Sequence, residues 1–184
     1  MLTRDEVVSC AMRVAEGDGL SAVSLRRLGT ELGVTAPAIY RHVCDKDDLL
    51  DAMAEAVGAS IEIPEGVAAL EPTATLLLLS LEVRDVVVNS PVAGDLLLRH
   101  SGGLGLASDV SRTGRSALER AGLSESEVDR AMRIWMSFLA GALVSAVGGY
   151  AGAAHRPRTS SRDDFAGDVA MVVQGLINQS TVEA

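Results

Sequence analysis

The stretch Ser24–Val43, SLRRLGTELGVTAPAIYRHV, decides the fold, because it predicts two short helices joined by a tight turn. Three leucines at helical spacing give the first helix one apolar face: Leu25, Leu28 and Leu32. Ser24 is a good N-cap for that helix. Gly29 lies where the two helices must cross, and a side chain there would obstruct the crossing.

The residues that follow the first helix predict a tight turn and then a second helix. Gly33 supplies the left-handed backbone position that ends a helix at low cost. Thr35 is a good N-cap for the next helix, Pro37 fits its first turn, and Ile39 with Val43 continues the inward face. This pattern predicts a helix-turn-helix. In DNA-binding proteins of this kind the second helix enters the major groove.

Helices are predicted on both sides of this unit. Thr3 and Glu6 form a capping box, so a first helix should run to about Glu16 and stop at Gly17 or Gly19. A connecting helix should follow the unit, with acidic residues at its start and one apolar stripe: Asp45, Asp47, Asp48, Leu49, Leu50, Met53 and Val57.

These residues resemble a known family. The segment GLSAVSLRRLGTELGVTAPAIYRHVCDKDDLLDAM is similar to the DNA-binding head of the tetracycline-repressor family. The resemblance covers about residues 3–58 and joins Gly33, Tyr40, His42 and Lys46 at fixed spacing, closest to the branch of the tetracycline repressor itself. The second helix departs from that branch at Ala36, Ala38 and Arg41, so the operator sequence does not carry over.

The resemblance implies a DNA-binding surface. It assigns Tyr40 and Lys46 to phosphates, and Arg26 to a guanine. Thr35, at the start of the second helix, can also donate to a phosphate. The alanines and proline of the second helix suit thymine methyl groups, and Arg41 is the charged candidate for the groove. The full set of expected DNA-binding residues is Arg26, Thr35, Ala36, Pro37, Ala38, Tyr40, Arg41, His42 and Lys46.

Length and charge allow a small head and a larger body. The 184 residues are 48% apolar and carry a net charge of −9. The first 60 residues hold six basic and ten acidic side chains, which argues against general affinity for nucleic acid. Two cysteines, Cys10 and Cys44, make no disulfide framework, and no export signal is visible, so we expect a cytoplasmic protein. We expect a DNA-binding domain over residues 1–60 and a body over residues 61–184.

The body is expected to be helical throughout. Ile61–Pro72 reads as a linker, Thr73–Asn89 as a central helix and Val92–His100 as a shorter one. Further helices are predicted over Leu106–Ala121, from Ser124 to about Ala154, and over Asp163–Asn178. No strand alternation is visible, so the expected fold class is all-α.

Residues Ile134–Ala154 carry no charge over 21 positions, which is long enough to cross a bilayer. Glycines and serines lower the hydrophobicity of this segment, so a buried helix is favoured over a membrane anchor. In the family a helix at this place forms half of a dimeric four-helix bundle with the last helix. The resemblance therefore implies a homodimer through Gly141, Ser145, Gly149, Val169, Val172, Val173 and Leu176.

The body's apolar helices predict a largely hydrophobic pocket for a small lipophilic effector. Few polar groups are available to orient it: Arg84, His100, Arg133 and Trp135. No spacing of His42, His100 and His155 suits zinc, and the sequence indicates no metal and no cofactor. SGGLGLAS follows a helix and lacks the last glycine of a dinucleotide loop, and no GxSxG occurs, so an enzyme is disfavoured.

The sequence thus predicts a ligand-responsive transcriptional repressor that binds an inverted-repeat DNA operator as a homodimer. Two other readings stay open at this point. One is a helical small-molecule-binding or carrier protein whose head does not recognise an operator. The other, weaker one is a membrane-anchored regulator.

Overall fold

The structure, a computed structural model, describes residues 2–99, 108–146 and 161–178. Within these residues all regular secondary structure is helical, so the all-α prediction is confirmed. The α-helices are α1 (Arg4–Asp18), α2 (Leu25–Glu31), α3 (Ala36–Ile39), α4 (Lys46–Ala59), α5 (Pro72–Asn89), α6 (Pro91–Arg99), α7 (Ser108–Arg120), α8 (Glu125–Ala146) and α9 (Arg162–Asn178). Two short 3₁₀ turns, Leu20–Ala22 and Val67–Ala69, precede α2 and α5.

The predicted caps of the first two helices are present. At α1 the Thr3 hydroxyl accepts a hydrogen bond from the Glu6 amide, and the Glu6 carboxylate accepts one from the Thr3 amide. The helix ends at Gly19, whose φ is 82°. At α2 the Ser24 hydroxyl accepts a hydrogen bond from the Arg27 amide. Both helices therefore begin at the residues that the sequence indicates.

The turn between α2 and α3 depends on two glycines. Gly33 has a φ of 65°, the left-handed conformation that the sequence predicts. A Cβ atom at Gly29 would lie 3.1 Å from the carbonyl oxygen of Val34 and 3.7 Å from the amide of Ala36. The glycine at position 29 is therefore what allows α3 to cross close to α2.

The second helix of the unit is shorter than predicted. The α-helix covers Ala36–Ile39, and turn hydrogen bonds from the amides of Tyr40 and Val43 continue the coil. Thr35 has the extended backbone of an N-cap, but its hydroxyl makes no capping hydrogen bond, contrary to expectation. The physical reason is local. Pro37 has no amide hydrogen to donate, and the Ala38 amide donates to the Thr35 carbonyl at 2.9 Å instead.

The connecting helix α4 joins the head to the body. The Asp45 carboxylate caps it by accepting from the Asp48 amide at 2.8 Å. Its apolar stripe is buried as predicted, with Leu49 and Met53 fully enclosed. The helix packs against α1 on one side and α6 on the other. The helix α4 is therefore in contact with both the head and the body.

The body is arranged around α5. This helix packs against α6, α7, α8 and α9, which agrees with the prediction of a central helix. Leu76 and Leu79 are fully buried in it. At its start Arg120 of α7 donates to the carbonyl oxygens of Ala68 and Leu70, and so fixes the linker to the body. Buried side chains form one continuous core from α1 through α4 to α9.

The ends of the body helices follow local signals where the structure describes them. Gly122 has a φ of 89° after α7, and the Glu127 carboxylate accepts from the Ser124 amide at 2.7 Å at the start of α8. Residues 147–154, which the sequence assigns to the same helix, lie outside the described residues. Within residues 2–99, 108–146 and 161–178, no helix is long and apolar enough to cross a membrane.

Candidate nucleic-acid interface

The predicted DNA-binding residues lie on α3 and the segments at its two ends, except Arg26 on α2 and Lys46 at the start of α4. Ile39 and Val43 anchor the helix in the core, and its other side faces outward. Tyr40 is 55% exposed, so its ring and hydroxyl are accessible to a partner. The rest of the predicted set divides by exposure. The exposed residues are Arg26, Thr35, Pro37, Arg41 and Lys46, and the half-buried ones are Ala36, Ala38 and His42.

The head's cations divide into two groups. Arg4 pairs with Asp48 at 2.7 Å, and Arg27 pairs with Asp18 and Glu31. The other four cations are exposed and form no ion pair with any described residue: Arg13, Arg26, Arg41 and Lys46. Three of those four belong to the predicted DNA-binding set. Although acidic residues outnumber basic ones in the head, its open cations therefore concentrate around α3.

Lys46 occupies the first position of α4. A positive charge there opposes the helix dipole, because the N-terminal end of a helix already carries partial positive charge. The side chain is exposed and contributes no ion pair within the described residues. Lys46 therefore makes no stabilising ion pair within the described residues, and its charge is available to bind a phosphate.

Arg4 holds the segment that follows α3, a role that the sequence did not indicate. Its guanidinium donates to the backbone carbonyl of His42 at 3.2 Å and pairs with Asp48. The Asp48 carboxylate also accepts from the Cys44 amide at 2.7 Å. That backbone hydrogen bond and the charge of Arg4 lower the pKa of Asp48 below its ordinary value. The bond joins residues 44 positions apart, so no local pattern could reveal it.

The described candidates for ligand binding differ in burial and in their partners. Trp135 is fully buried between α5, α7 and α8, and its indole donates to the Ser80 hydroxyl at 2.9 Å. Arg84 lies over the ring of Phe165 at 5.7 Å and pairs with Asp85. Arg133 is exposed on α8, and His100 lies outside the described residues. The ligand assignments stay predictions.

The candidates for the dimer interface differ in exposure. Gly141 is exposed with open space around it, and Ser145 is half-buried. Gly149 lies outside the described residues. Val169, Val173 and Leu176 are buried, and Val172 is half-buried, so these side chains support the core of their own chain. The exposed apolar groups on α8 and α9 are residues that the sequence analysis did not single out: Ile134 at 42% and Met171 at 73% exposure.

A groove opens between α8 and α9 on this same surface. Its volume is about 350 Å³. The residues that line it are Ser137, Phe138, Gly141, Ala142, Ser145, Phe165 and Asp168. The start of α9 therefore lies beside the second half of α8. The groove combines two aromatic rings with one carboxylate, and α8's glycine leaves its wall open.

The head matches a known protein family in sequence. Residues 7–53 match the family of bacterial regulatory proteins described as the tetR family. An HTH-type transcriptional regulator of Saccharopolyspora erythraea is 38% identical over 64 residues, which are 35% of this chain and 27% of that protein. The HTH-type transcriptional repressor DrrR1 of Streptomyces coeruleorubidus is 41% identical over 63 residues, 34% and 23% of the two chains.

A tetracycline repressor of class C from Escherichia coli is 41% identical over 56 residues, covering 30% of this chain and 26% of the repressor. The matched stretches thus span about a quarter of these relatives' own length. The relatives are transcriptional regulators or repressors by name.

The fold of the whole chain is also known. BioQ with its natural double-stranded DNA operator superposes with a TM-score of 0.76 at 23% identity, covering 96% of this chain and 99% of that one. ActR of Streptomyces coelicolor in complex with (S)-DNPA has a TM-score of 0.74 at 20% identity, covering 97% and 98%. The whole chain thus shares the fold of BioQ and ActR, and its helix-turn-helix head, residues 7–53, matches the tetR family of bacterial regulatory proteins.

Proposed function

We propose that the chain is a transcriptional repressor that binds an inverted-repeat operator as a homodimer and leaves it when a small lipophilic effector binds. Residues 1–60 form the DNA-binding domain with its connecting helix, and residues 61–184 form the ligand-binding and dimerisation domain. The observation that carries the proposal is the exposure of one tyrosine and three cations on and near α3, a helix that buried side chains anchor in the core. The three cations form no ion pair in the described chain.

The roles within this surface follow from chemistry. Lys46 and Tyr40 contact phosphates and so position the head without reading sequence. Arg26 makes a bidentate contact with a guanine, and Arg41 is the second charged group within reach of the groove. Ala36, Pro37 and Ala38 pack against thymine methyl groups, and Thr35 and His42 lie at the two ends of the helix beside the backbone.

Two heads are needed for a site of useful affinity. One head of this kind offers few phosphate contacts, and a two-fold pair doubles them and fixes the spacing of the half-sites. The exposed apolar groups on α8 and α9, with Gly141 open between them, support this surface as the dimer interface. BioQ, which shares the fold, was solved on its DNA operator.

The effector acts by binding more tightly to the dimer at one spacing of its two DNA-binding heads than at another. Differential affinity of about 1–3 kcal/mol is the usual scale of such coupling. The helices that would carry this change to the head are in contact, because α6 packs against α4 and α4 joins the head to the body. The apolar surroundings of Trp135 and the half-buried Arg84 suit a mainly hydrophobic ligand with one polar group. ActR, of the same fold, was solved with (S)-DNPA bound.

The DNA-binding part is tested by a gel shift on sequences selected by the wild-type chain. Replacing Arg26, Arg41 and Lys46 together by alanine should abolish the shift at salt concentrations where the wild type binds. The variant Arg112→Ala, which removes an exposed cation from α7, serves as the control and should bind as the wild type does. Equal binding by the triple variant would contradict the proposed surface.

The effector part is tested by pairing two measurements. A true effector must raise the melting temperature of the chain and lower its affinity for the operator. By thermodynamic reciprocity, operator DNA must weaken the binding of that compound. A compound that stabilises the chain and leaves operator affinity unchanged would count against coupling.

A further inference from the structure

The segment between α3 and α4, residues 40–45, carries some of the predicted DNA-binding residues but belongs to neither helix. Tyr40 and Arg41 lie at its start, both exposed, and Lys46 begins α4 directly after it. Outside a helix, backbone groups need partners from neighbouring elements, and those partners fix the position of the segment. The placement of these three side chains on DNA therefore depends on what holds residues 40–45.

The segment is held first by the backbone and then by side chains of two other elements. The His42 amide donates to the Ile39 carbonyl at 2.9 Å. The His42 carbonyl, in turn, accepts a hydrogen bond from Arg4, the first residue of α1, at 3.2 Å. The Cys44 amide donates to the carboxylate of Asp48 on α4 at 2.7 Å. Two consecutive parts of the segment are thus bound to α1 and to α4.

The two side chains also bind each other. The Nη2 atom of Arg4 donates to Oδ1 of Asp48 at 2.7 Å, while Nη1 of Arg4 holds the carbonyl of His42. The other oxygen of Asp48, Oδ2, accepts from the segment's amide. Both helices that carry the pair are fixed by the core, since Val7 of α1 and Leu49 of α4 are fully buried. The Arg4–Asp48 pair therefore ties the segment to two rigid supports.

This pair has little to offer the fold and is unfavourable for DNA binding by charge alone. The side chains of Arg4 and Asp48 are 46% and 27% exposed, and ion pairs at such exposure contribute little to stability. Asp48 also places a negative charge two residues after Lys46, which lowers the attraction of this region for phosphates. Placement of the DNA-binding side chains is the role that would offset this repulsion.

We infer that Arg4 and Asp48 are positioning residues for operator binding: together they fix the backbone of residues 42–44, and so hold Arg41 and Lys46 on either side of it. The inference rests on the proposed DNA-binding function and adds two residues that the predicted set does not contain. It also makes a prediction of opposite sign to simple electrostatics, in which removal of a negative charge strengthens binding to DNA.

The variant D48N tests this sign on the full chain. Asparagine has nearly the same size, but one of its two polar atoms is a donor, so it cannot accept from both Arg4 and the Cys44 amide in the present geometry. Fluorescence anisotropy on the operator selected by the wild type should show binding weaker by about fivefold or more. The matched control is D47N, which neutralises an exposed carboxylate of the same helical turn and should bind at least as tightly as the wild type.

The variant R4A removes the other half of the pair. It should also weaken binding, and R4A/D48N should lose less affinity than the product of the two single losses, because both changes break the same contacts. Direct contact of Arg4 with a phosphate gives a different result. Release of Arg4 from Asp48 would then strengthen binding, so D48N would bind more tightly than the wild type.

The background R41A separates positioning from a contribution to folding alone. If the pair positions Arg41, part of what it positions is missing in R41A, so the loss caused by D48N should be smaller there than in the wild type. A purely structural effect would be the same in both backgrounds. Circular dichroism at the temperature of the titration establishes that each variant is folded.

The results that would overturn the inference are distinct from failure of the proposed function. If the wild type binds its selected operator and D48N binds as tightly or more tightly, Arg4 and Asp48 do not position the segment for DNA. The same follows if D48N causes an equal loss with and without Arg41. If the wild type selects no DNA sequence, the proposed function and the inference fail together.

Discussion

The head and the body of this chain differ in how their sequences determine their structures. In the head, each short element has its own local signal: a cap at Thr3, Ser24 or Asp45, or a glycine at a positive φ such as Gly33. In the body, long helices rely mainly on apolar periodicity and on a shared core around α5. The surfaces differ as well, because the exposed cations of the head include three of the predicted DNA-binding residues, whereas the buried polar residues among the described ones, Thr75 and Ser80, lie in the body.

This difference predicts that single substitutions act differently in the two regions. A body substitution should act through packing and change the stability of the whole chain, because the core is continuous. A head substitution at an exposed residue should change DNA binding and leave stability nearly unchanged. The predictions below begin with the largest expected effect.

The largest effect is expected at the centre of the body. Trp135→Ala should lower the free energy of unfolding by about 3–5 kcal/mol, because it removes a fully buried ring and leaves a cavity between α5, α7 and α8. Urea unfolding measures this. The control Arg130→Ala, on an exposed position of the same helix, should stay within about 0.5 kcal/mol of the wild type. A loss below about 1 kcal/mol at Trp135 would show that the body is not packed around this ring.

The next effect concerns sequence reading by the head. Arg26→Ala should weaken binding to the selected operator by about 1–3 kcal/mol and relax preference at one base pair in each half-site. Lys46→Ala is the contrast, since it should weaken binding about equally on all sequences and reduce the log–log salt slope by about 1. Unchanged preference in Arg26→Ala would contradict its assignment to a base.

The turn of the head gives a test free of packing effects. No atom lies within 4 Å of a Cβ placed on Gly33, so a substitution there acts through the backbone alone. Gly33→Val should cost about 1–2 kcal/mol, because a branched residue is strained in the left-handed region. Gly33→Asn, the matched control, should cost less, since asparagine tolerates that conformation. Similar melting temperatures for both variants would mean that the turn adopts another conformation in solution.

The smallest effect is a dependence on pH from Asp48. Its pKa is lowered in the folded chain by the Cys44 amide and by Arg4. The stabilisation is therefore present above the unfolded pKa, about 4, and is lost as pH falls through the folded pKa. Asp48→Asn should be less stable than the wild type at pH 7, and the gap should narrow at pH 3. A constant gap in urea midpoints would contradict this role.

Local features of the sequence were sufficient for most of the fold. Caps predicted the starts of α1 and α2, and acidic residues predicted the start of α4, since each signal depends on neighbours within four residues. The α-helix α3 ends at Ile39 instead of continuing to Val43, and the cap expected of Thr35 is missing because Pro37 has no amide hydrogen to donate. Contacts between distant residues were not predictable, as with Arg4 and Asp48 or Trp135 and Ser80. The burial of Val169 and Val173 in their own chain likewise depends on tertiary packing.

The central claim is that two copies of the head read an inverted repeat. The most direct measurement is selection of bound sequences from a random DNA pool by the full chain, followed by the mass of the complex on the recovered site. The account predicts an enriched inverted repeat that binds an even number of chains, with each half-site requiring Arg26. Recovery of no enriched sequence, or of a single unrepeated site that holds one chain, would contradict it.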